Sequence, residues 1–501
     1  MPGINVTTAV RTGPVGTGDI VAGQVFMVGQ AERGPTNEPT LLRSFSDYTT
    51  YYGNYKSDNL YAHVKTYFDE GGTRCYVQRV VSSNATAGSV TLNDASGSAT
   101  MVATAKNVGA WGANLDIQIA AADVTGFKVK VFLDDALLLT TRDLTSVADA
   151  INVVNVSAVS HLIELSDDPT STSNPAEGSV TPVSGATTPS DGDNVDADDI
   201  VAALALATTN LTANYKSGAV CAPGWSDSTV HDALRDHAYD NNRIAICSVA
   251  QGAAASSVKT TASSYSGAKG EYMAFYWPHV KVAAPNSGEV ATGATAPTGA
   301  SITIAPDAYA AAARTRAIQQ ANGPWRAGAG QISAASTIVG LAQDVTPATG
   351  DALDEARVNA IRKIGNTFRV YGARSASSDE ANWRYITQRD TMNYIVTGVE
   401  DRMEQYVFET IDGRGNLFGR IRGSIKAFLD PIRVAGGLYE AYDADGALVD
   451  PGYNVVVDGT INPATQLATG QVKAQVGVRV SGVADLINIV ITKSNLSAPI
   501  I

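Results

Sequence analysis

The sequence predicts an α+β multidomain protein. A β/α sandwich-like middle domain carries a β-rich insertion, an α+β C-terminal domain follows, and an extended strand arm sits at each end. Three observations lead there. Short apolar runs alternate with amphipathic helical stretches over residues 23–83 and again from residue 200. Between them the composition shifts to Ser, Thr, Ala, Gly and Asp. The last third mixes long helical patterns with alternating strands. The expected units are an arm over 1–22, the middle domain over 23–83 and 200–350, the insertion over 84–199, the C-terminal domain over 351–484 and a second arm over 485–501.

In chain order, "INVTTAV" is β-prone and "RTGPVGTGD" after it reads as a Gly/Pro tether, so Ile4, Val6 and Val10 form a strand without a local partner. "GQVFMVGQA" reads as an apolar strand. "SFSDYTTYYG" is a short helix and "DNLYAHVKTYFDE" a longer one, with Leu60, Val64, Tyr67 and Phe68 at helical spacing. "RCYVQRVV" alternates like a strand. Gly71 and Gly72 let the chain leave the helix through positive φ and reverse. In the insertion "GFKVKVFLDD" is a strand and "SDDPTSTSNPAEGSVTPVSGATTPSDGDN" a long polar surface loop, loosely ordered in part. The β/α alternation resumes with the helix "DIVAALALA", the strand "SGAVCAPG", the helix "STVHDALRDHAYDNN" and the strands "RIAICSVA" and "EYMAFYWPHVKV". Further on, "DALDEARVNAIRKIG" fits a helix with Leu353, Val358 and Ile361 or Ile364 inward, and "NTFRVYGAR" a strand. "MNYIVTGVEDRMEQYVFE" and "LFGRIRGSIKAFLD" are helices and "GQVKAQVGVRV" a strand. "LINIVITKS" is a closing strand with Leu486, Ile489 and Ile491.

The net charge of −13 argues against nucleic acid as the main partner. Residues 161–200 hold nine acids and no Lys or Arg, so this segment alone supplies −9. The opposite occurs over residues 413–433, where Arg414, Arg420, Arg422, Lys426 and Arg433 face one acid, Asp430, for a net +4. On a helix Arg422 and Lys426 share a face, while Leu417, Ile421, Ile425 and Phe428 form a separate apolar stripe. No apolar run approaches the ~18 residues of a membrane span. The N-terminal stretch lacks the basic and apolar regions of a signal peptide. Three cysteines in apolar surroundings without C-x-x-C spacing read as buried free thiols in a reducing compartment.

Catalytic patterns are weak. "GRGNLFG" is one residue too long for a dinucleotide fingerprint and opens no βαβ unit. Neither a P-loop nor a G-x-S-x-G elbow occurs. His231 and His237, six apart, point to different sides of a helix, and His63, His161 and His279 are isolated. Adjacent Asp69 and Glu70 diverge by about 100° on a helix. "DGDNVDADD" at 191–199 lacks the EF-hand Gly and Glu positions and reads as a solvated acidic loop. No catalytic, cofactor or metal site is expected. A cytosolic β/α enzyme, the remote alternative, would need a nucleophile, base and oxyanion donors that the sequence does not offer.

Several stretches, in order, resemble one family. "VFMVGQAERGPTNEPTLLRSFSDYTTYYG" followed by "YFDEGGTRCYVQRVV" is similar to the N-terminal signature of tail sheath proteins of contractile-tailed bacteriophages. "GAWGANLDIQI" resembles that family's entry into the insertion. "GPWRAGAGQ", "VNAIRKIGNTFRVYGARS" and "WRYITQRDTMNYIVTGVEDRMEQYVFE" resemble later segments. The chain departs from the pattern at Ala327 to Ala329, where the family has a Pro, and at Ser375, where it has Thr. The resemblance implies a structural subunit, not an enzyme, that polymerises helically around an inner tube and contracts to drive it through a bacterial envelope during genome delivery. The implied partners are neighbouring subunits joined through the terminal arms, the tail tube protein, and baseplate and tail terminator proteins. No cofactor, nucleic acid or membrane is implied. The implied location is the virion tail, assembled in the host cytoplasm. A capsid-less contractile bacteriocin or injection system is the alternative. The C-terminal domain is implied to lie inside, which makes the five cations of residues 413–433 candidate tube contacts.

Overall fold

A computed structural model describes residues 22–485 except 58–59, 169, 171 and 212–216. The strand arms around Ile4, Val6 and Val10 and around Leu486, Ile489 and Ile491 lie outside the described residues. At the centre is an eight-stranded sheet. Its strands are β1 Val25–Gly29, β2 Thr40–Leu42, β3 Cys75–Arg79, β4 Gly218–Cys221, β5 Arg243–Cys247, β6 Met273–Trp277, β7 Val358–Ile364 and β8 Thr367–Tyr371. The order is β8-β7-β6-β5-β4-β1-β3-β2. The inner strands run parallel and both edge strands are antiparallel.

The sequence makes such a sheet because its strands are apolar on both sides. Val25 and Met27 join one core with Tyr48, Tyr52, Tyr61, Tyr67 and Tyr309. Phe26 and Val28 join the opposite core with Val220, Val230, Leu234 and Phe275. Helices cover both faces, which is why the strands read as continuous apolar runs. Helices Phe45–Tyr52, Tyr61–Asp69, Ala197–Leu211 and Ser228–Asp240 match the expected ones. Helices Ala255–Ser264 and Asp307–Ala321 were not anticipated. The second is buried nearly all round, with Ala308 to Ala313 at 2% exposure or less, so it shows no amphipathic period.

The Gly71-Gly72 break is a joint. Gly71 has φ +91°, and a Cβ on Gly72 would stand 2.3 Å from the Tyr67 ring. Glu70 is buried and clasps a distant loop. Its carboxylate accepts from Ser336 N at 2.9 Å, Thr337 N at 2.6 Å and Thr337 Oγ1 at 2.7 Å. The Tyr67 hydroxyl lies 3.2 Å from Thr315 Oγ1, tying the same joint to helix Asp307–Ala321.

The structure corrects three readings. The helix expected over "DALDEARVNAIRKIG" ends at Glu355, Arg357 turns through φ +64°, and Val358–Ile364 is a strand paired with β6 and β8. Val358 and Ile361 share a face only on a helix; on the strand they point to opposite faces, into the two cores that cover the sheet, and the open edge of β6 decides for strand. Residues 358–371 therefore belong to the central sheet, so a boundary at 351 cuts through it. "EYMAFYWPHVKV" is two strands, broken after Trp277 at Pro278, because proline cannot continue the ladder. Val280–Ala283 instead pairs with Ser301–Ile304 and Ile338–Leu341. The polar loop of the insertion is also less loose than expected. Thr181–Pro182 pairs with Asp116 and Ile117, and Val183 is fully buried.

The insertion has its own core, from Val90 and Met101 through Trp111 and Phe127 to Leu165 and Val183, between a four-stranded and a three-stranded sheet. Its root is held by Arg79, 1% exposed, which donates to the carbonyls of Ala31 at 3.0 Å and Val108 at 2.8 Å. Asp191 accepts from Ala110 N at 3.0 Å and pairs with Lys56.

Helix Ile386–Met403 links the sheet to a fourth core. Its first half is polar yet buried. Asp390, 3% exposed, receives both Nε (2.7 Å) and Nη2 (2.8 Å) of Arg314. Asn393 donates to Arg243 O of β5 at 3.1 Å. Its second half joins Ile395, Val399 and Met403 to the C-terminal core.

Two stability predictions follow from these buried charges. Asp390→Asn leaves Arg314 without its counter-charge and should cost about 3–5 kcal/mol in denaturant unfolding. Arg314→Met combined with Asp390→Leu should recover most of that. A single variant losing under about 1 kcal/mol would remove the pair from the structure's main supports. Asp307, 2% exposed, has its carboxyl raised by burial to about 7, and its buried Oδ2 has no hydrogen-bond partner among the described residues. Its folded value lies above the unfolded one, so its contribution is complete below pH ~4 and is lost as pH rises through 7. Asp307→Asn should flatten that slope and gain up to ~4 kcal/mol at pH 8. Parallel stability–pH curves for the two proteins would refute it.

Candidate assembly interface

The basic segment forms helix Asn416–Val434. Leu417, Ile421, Ile425, Phe428, Leu429 and Ile432 recur at helical spacing and are buried against Ile395, Leu438, Val455 and Val457, with Trp325 packed beside them. This apolar stripe fixes which side chains face outward. Arg414, Arg420, Arg422 and Lys426 are exposed and Arg433 is half-buried.

The five cations are not equivalent. Arg420 forks onto Glu409 at 3.0 and 2.8 Å and lies over the Tyr406 ring. Arg433 pairs with Glu440 at 2.6 Å and Asp430 at 3.2 Å. Arg414, Arg422 and Lys426 make no ion pair with described residues. Asp458 beside the helix is held below the usual carboxylate range by bonds from Thr460, with Arg422 adding to it. The expected +4 patch is thus an outward face of three uncommitted cations, with Arg422 and Lys426 four apart. Glu409 and Glu440 lie outside the counted window, and only the fold brings them back.

The loop before this helix, residues 404–415, shows a feature that sequence patterns do not reveal. Phe408 is 103% exposed at φ +66°, and Val407 beside it is 53% exposed. Beyond the helix, Tyr453–Val456 and Gln475–Val478 form a two-stranded sheet, whose outer edges carry no named strand among the described residues. The last described residue, Asp485, accepts from the Tyr385 hydroxyl at 2.7 Å.

The groups weighed for chemistry sit elsewhere. Cys75, Cys221 and Cys247 are buried, and burial pushes each thiol up, away from the thiolate a nucleophile needs. His231 is within 3.0 Å of Ser248 O, and burial lowers it. His237 is pushed down to about 3 by burial and then by Arg243. Asp196 caps Asp199 N at 3.1 Å, and Asp193 accepts from Asn84 at 2.8 Å. Among the described residues no group of three or more His, Cys, Asp and Glu is placed to hold a metal ion. No described helix is long and apolar enough to cross a membrane.

No protein-family model and no curated protein matches the chain. Solved structures do. The helical sheath of the anti-feeding prophage in its contracted state matches 98% of this chain and 99% of its own, at 16% identity and a TM-score of 0.56. A sheath tail protein from Listeria innocua matches 88% and 90%, at 14% identity and a TM-score of 0.59. Another from Desulfitobacterium hafniense matches 91% and 94%, at 15% identity and a TM-score of 0.54. The chain therefore has, over nearly its whole length, the fold of contractile sheath proteins.

The exposed cations are dispensable for folding on this account. Arg422→Glu with Lys426→Glu should change stability by no more than about 0.5 kcal/mol per site. Thermal unfolding of the double variant checks this; a larger loss would mean that the helix needs these side chains internally.

Proposed function

We propose that this chain is the structural subunit of a contractile sheath. Copies polymerise helically around an inner tube and shorten to drive it through a bacterial envelope. The observation that carries the reading is the near-full-length likeness to sheath subunits, including one in a contracted helical sheath. The resemblance of ordered sequence segments supports it from an independent side. In the bacteriophage reading the sheath belongs to a virion tail, assembles in the host cytoplasm and serves genome ejection. Likeness to the anti-feeding prophage and to an extracellular contractile injection system equally supports a capsid-less machine.

Within this reading Arg414, Arg422 and Lys426 face acidic groups of the tube, with Arg420 and Arg433 shaping the same surface. Exposed pairs are worth about 0–1 kcal/mol each, so a tube bound by many copies is still released on contraction. Strands around residues 4–10 and 486–494 add to sheets of neighbouring subunits, and the edges of the small C-terminal sheet that carry no named strand among the described residues are suitable acceptors. The insertion, closed around its own core, projects outward. Baseplate and terminator proteins cap the two ends.

Negative-stain microscopy of the purified chain should show long hollow cylinders; only dispersed particles at high concentration would sink the reading. Removing residues 1–22 should leave a folded monomer that no longer assembles, and normal cylinders from that truncation would exclude the N-terminal arm. The Arg422→Glu, Lys426→Glu double variant should give empty, already contracted sheaths. Extended, tube-filled particles would take these residues out of the tube contact.

A further inference from the structure

Phe408 is the most exposed large apolar side chain among the described residues. A bulky residue at φ +66° is disfavoured and persists only where its surroundings impose it. The imposing contacts are visible. Glu409 is forked onto Arg420, and Asp412 Oδ1 accepts from Asn416 N at 2.9 Å. The loop is therefore held on its downstream side while it presents Phe408 and Val407 to solvent. A held, strained, fully exposed aromatic has the character of a knob.

A matching hole exists on the same chain. An open cleft of about 540 Å³ is lined by Tyr239, Ala268, Lys269, Glu271, Ser378 and Trp383. Tyr239 is 46% exposed, with Lys269 Nζ 4.2 Å from its ring centroid. Trp383 is backed by Arg389, 4.6 Å from its ring. Two aromatic walls offer an incoming aromatic edge-to-face or offset-stacked contact. The rim carries Glu271 and Asp379 against Lys269, which is already paired with Asp236 at 2.9 Å. Arg414, six residues past Phe408, makes no ion pair with described residues, so the knob side supplies the complementary charge.

Their placement decides what fits. Trp383 stands just before helix Ile386–Met403 and Phe408 just after it. Eighteen helical residues span roughly 27 Å, so knob and hole lie at opposite ends of one rigid rod. A chain with complementary features at opposite ends makes a heterologous contact, which builds a ring where the rotation between copies closes and an open helix where it does not. We propose that Phe408 of one copy seats in the Tyr239–Trp383 cleft of the next copy, a head-to-tail contact repeated through the polymer. The occupant is a second copy of this chain, and the proposal rests on the sheath reading.

The test keeps the two ideas separable. Val407→Cys, which leaves the Phe408 anchor in place, and Ser378→Cys are combined in the full chain, whose three native thiols are buried. A short bis-maleimide is added under assembly conditions. A ladder of dimer, trimer and higher species is expected on a denaturing gel, and is expected to be missing from either single variant. Separately, Phe408→Gly removes the knob and relieves the left-handed backbone, so the monomer's melting temperature should hold or rise. The concentration needed for cylinders should rise at least tenfold. Cylinders without a ladder overturn the contact and leave the sheath reading standing. A ladder without cylinders keeps the contact and overturns the sheath reading. Neither overturns both. Phe408→Gly cylinders forming at the wild-type concentration overturn the contact even if the ladder appears.

Discussion

Arg314 and Asp390 meet in fork geometry where almost no water reaches, and much of the molecule is arranged around that meeting. Arg314 lies on helix Asp307–Ala321, sunk into one face of the central sheet. Asp390 lies on helix Ile386–Met403, which leaves the sheet for the C-terminal core. Burying two charges is expensive unless both find partners, and the fork ties the two helices together at this point. The neighbourhood conforms to it. A Cβ on Gly328 would stand 2.7 Å from the Arg314 backbone nitrogen, so the segment crossing this helix must be Gly there. The segment crosses against backbone, with no room for a larger residue at its centre.

What could be read from the sequence was what burial writes plainly. Val25 to Gly29 and Ile244 to Cys247 are recognisable because both faces are covered, so every side chain is under the same apolar pressure, whereas Cys75 to Arg79 shows by its alternation. The helix with Leu417, Ile421 and Ile425 is recognisable because only one face is covered. Failures occur where two readings share one pattern. Val358 and Ile361 suit one face of a helix or the two faces of a strand, and only the unpaired edge of β6, distant in sequence, chooses. Helix Asp307–Ala321 escapes notice because alanine on all sides leaves no period. Phe408 is invisible as a feature, since neither positive φ nor full exposure is encoded in residue type alone. The ion pairs of Arg420 and Arg433 are likewise products of the fold.

These misses bear on the site more than on the scaffold. A scaffold is specified by many redundant apolar positions, each of which repeats the message. A contact surface is specified by a few residues whose neighbours arrive from far along the chain. Counting charges over residues 413–433 overstated the free charge of that helix, because Glu409 and Glu440 reach in from either side.

Helix Ile386–Met403 shows how such a surface can act on the rest. Its polar, buried first half is locked to the sheet through Asp390 and Asn393, and its apolar second half shares a core with the basic helix. Trp325, which follows directly on helix Asp307–Ala321, packs into that same core. The basic face and the central sheet are therefore joined by one rod plus one aromatic wedge. A load applied at Arg422 or Lys426 passes along packed helices rather than through a flexible linker. Under the proposed sheath reading, compliance then belongs in the contacts between copies: the proposed ion pairs, strand additions and seated aromatic would each break and re-form without the subunit itself unfolding.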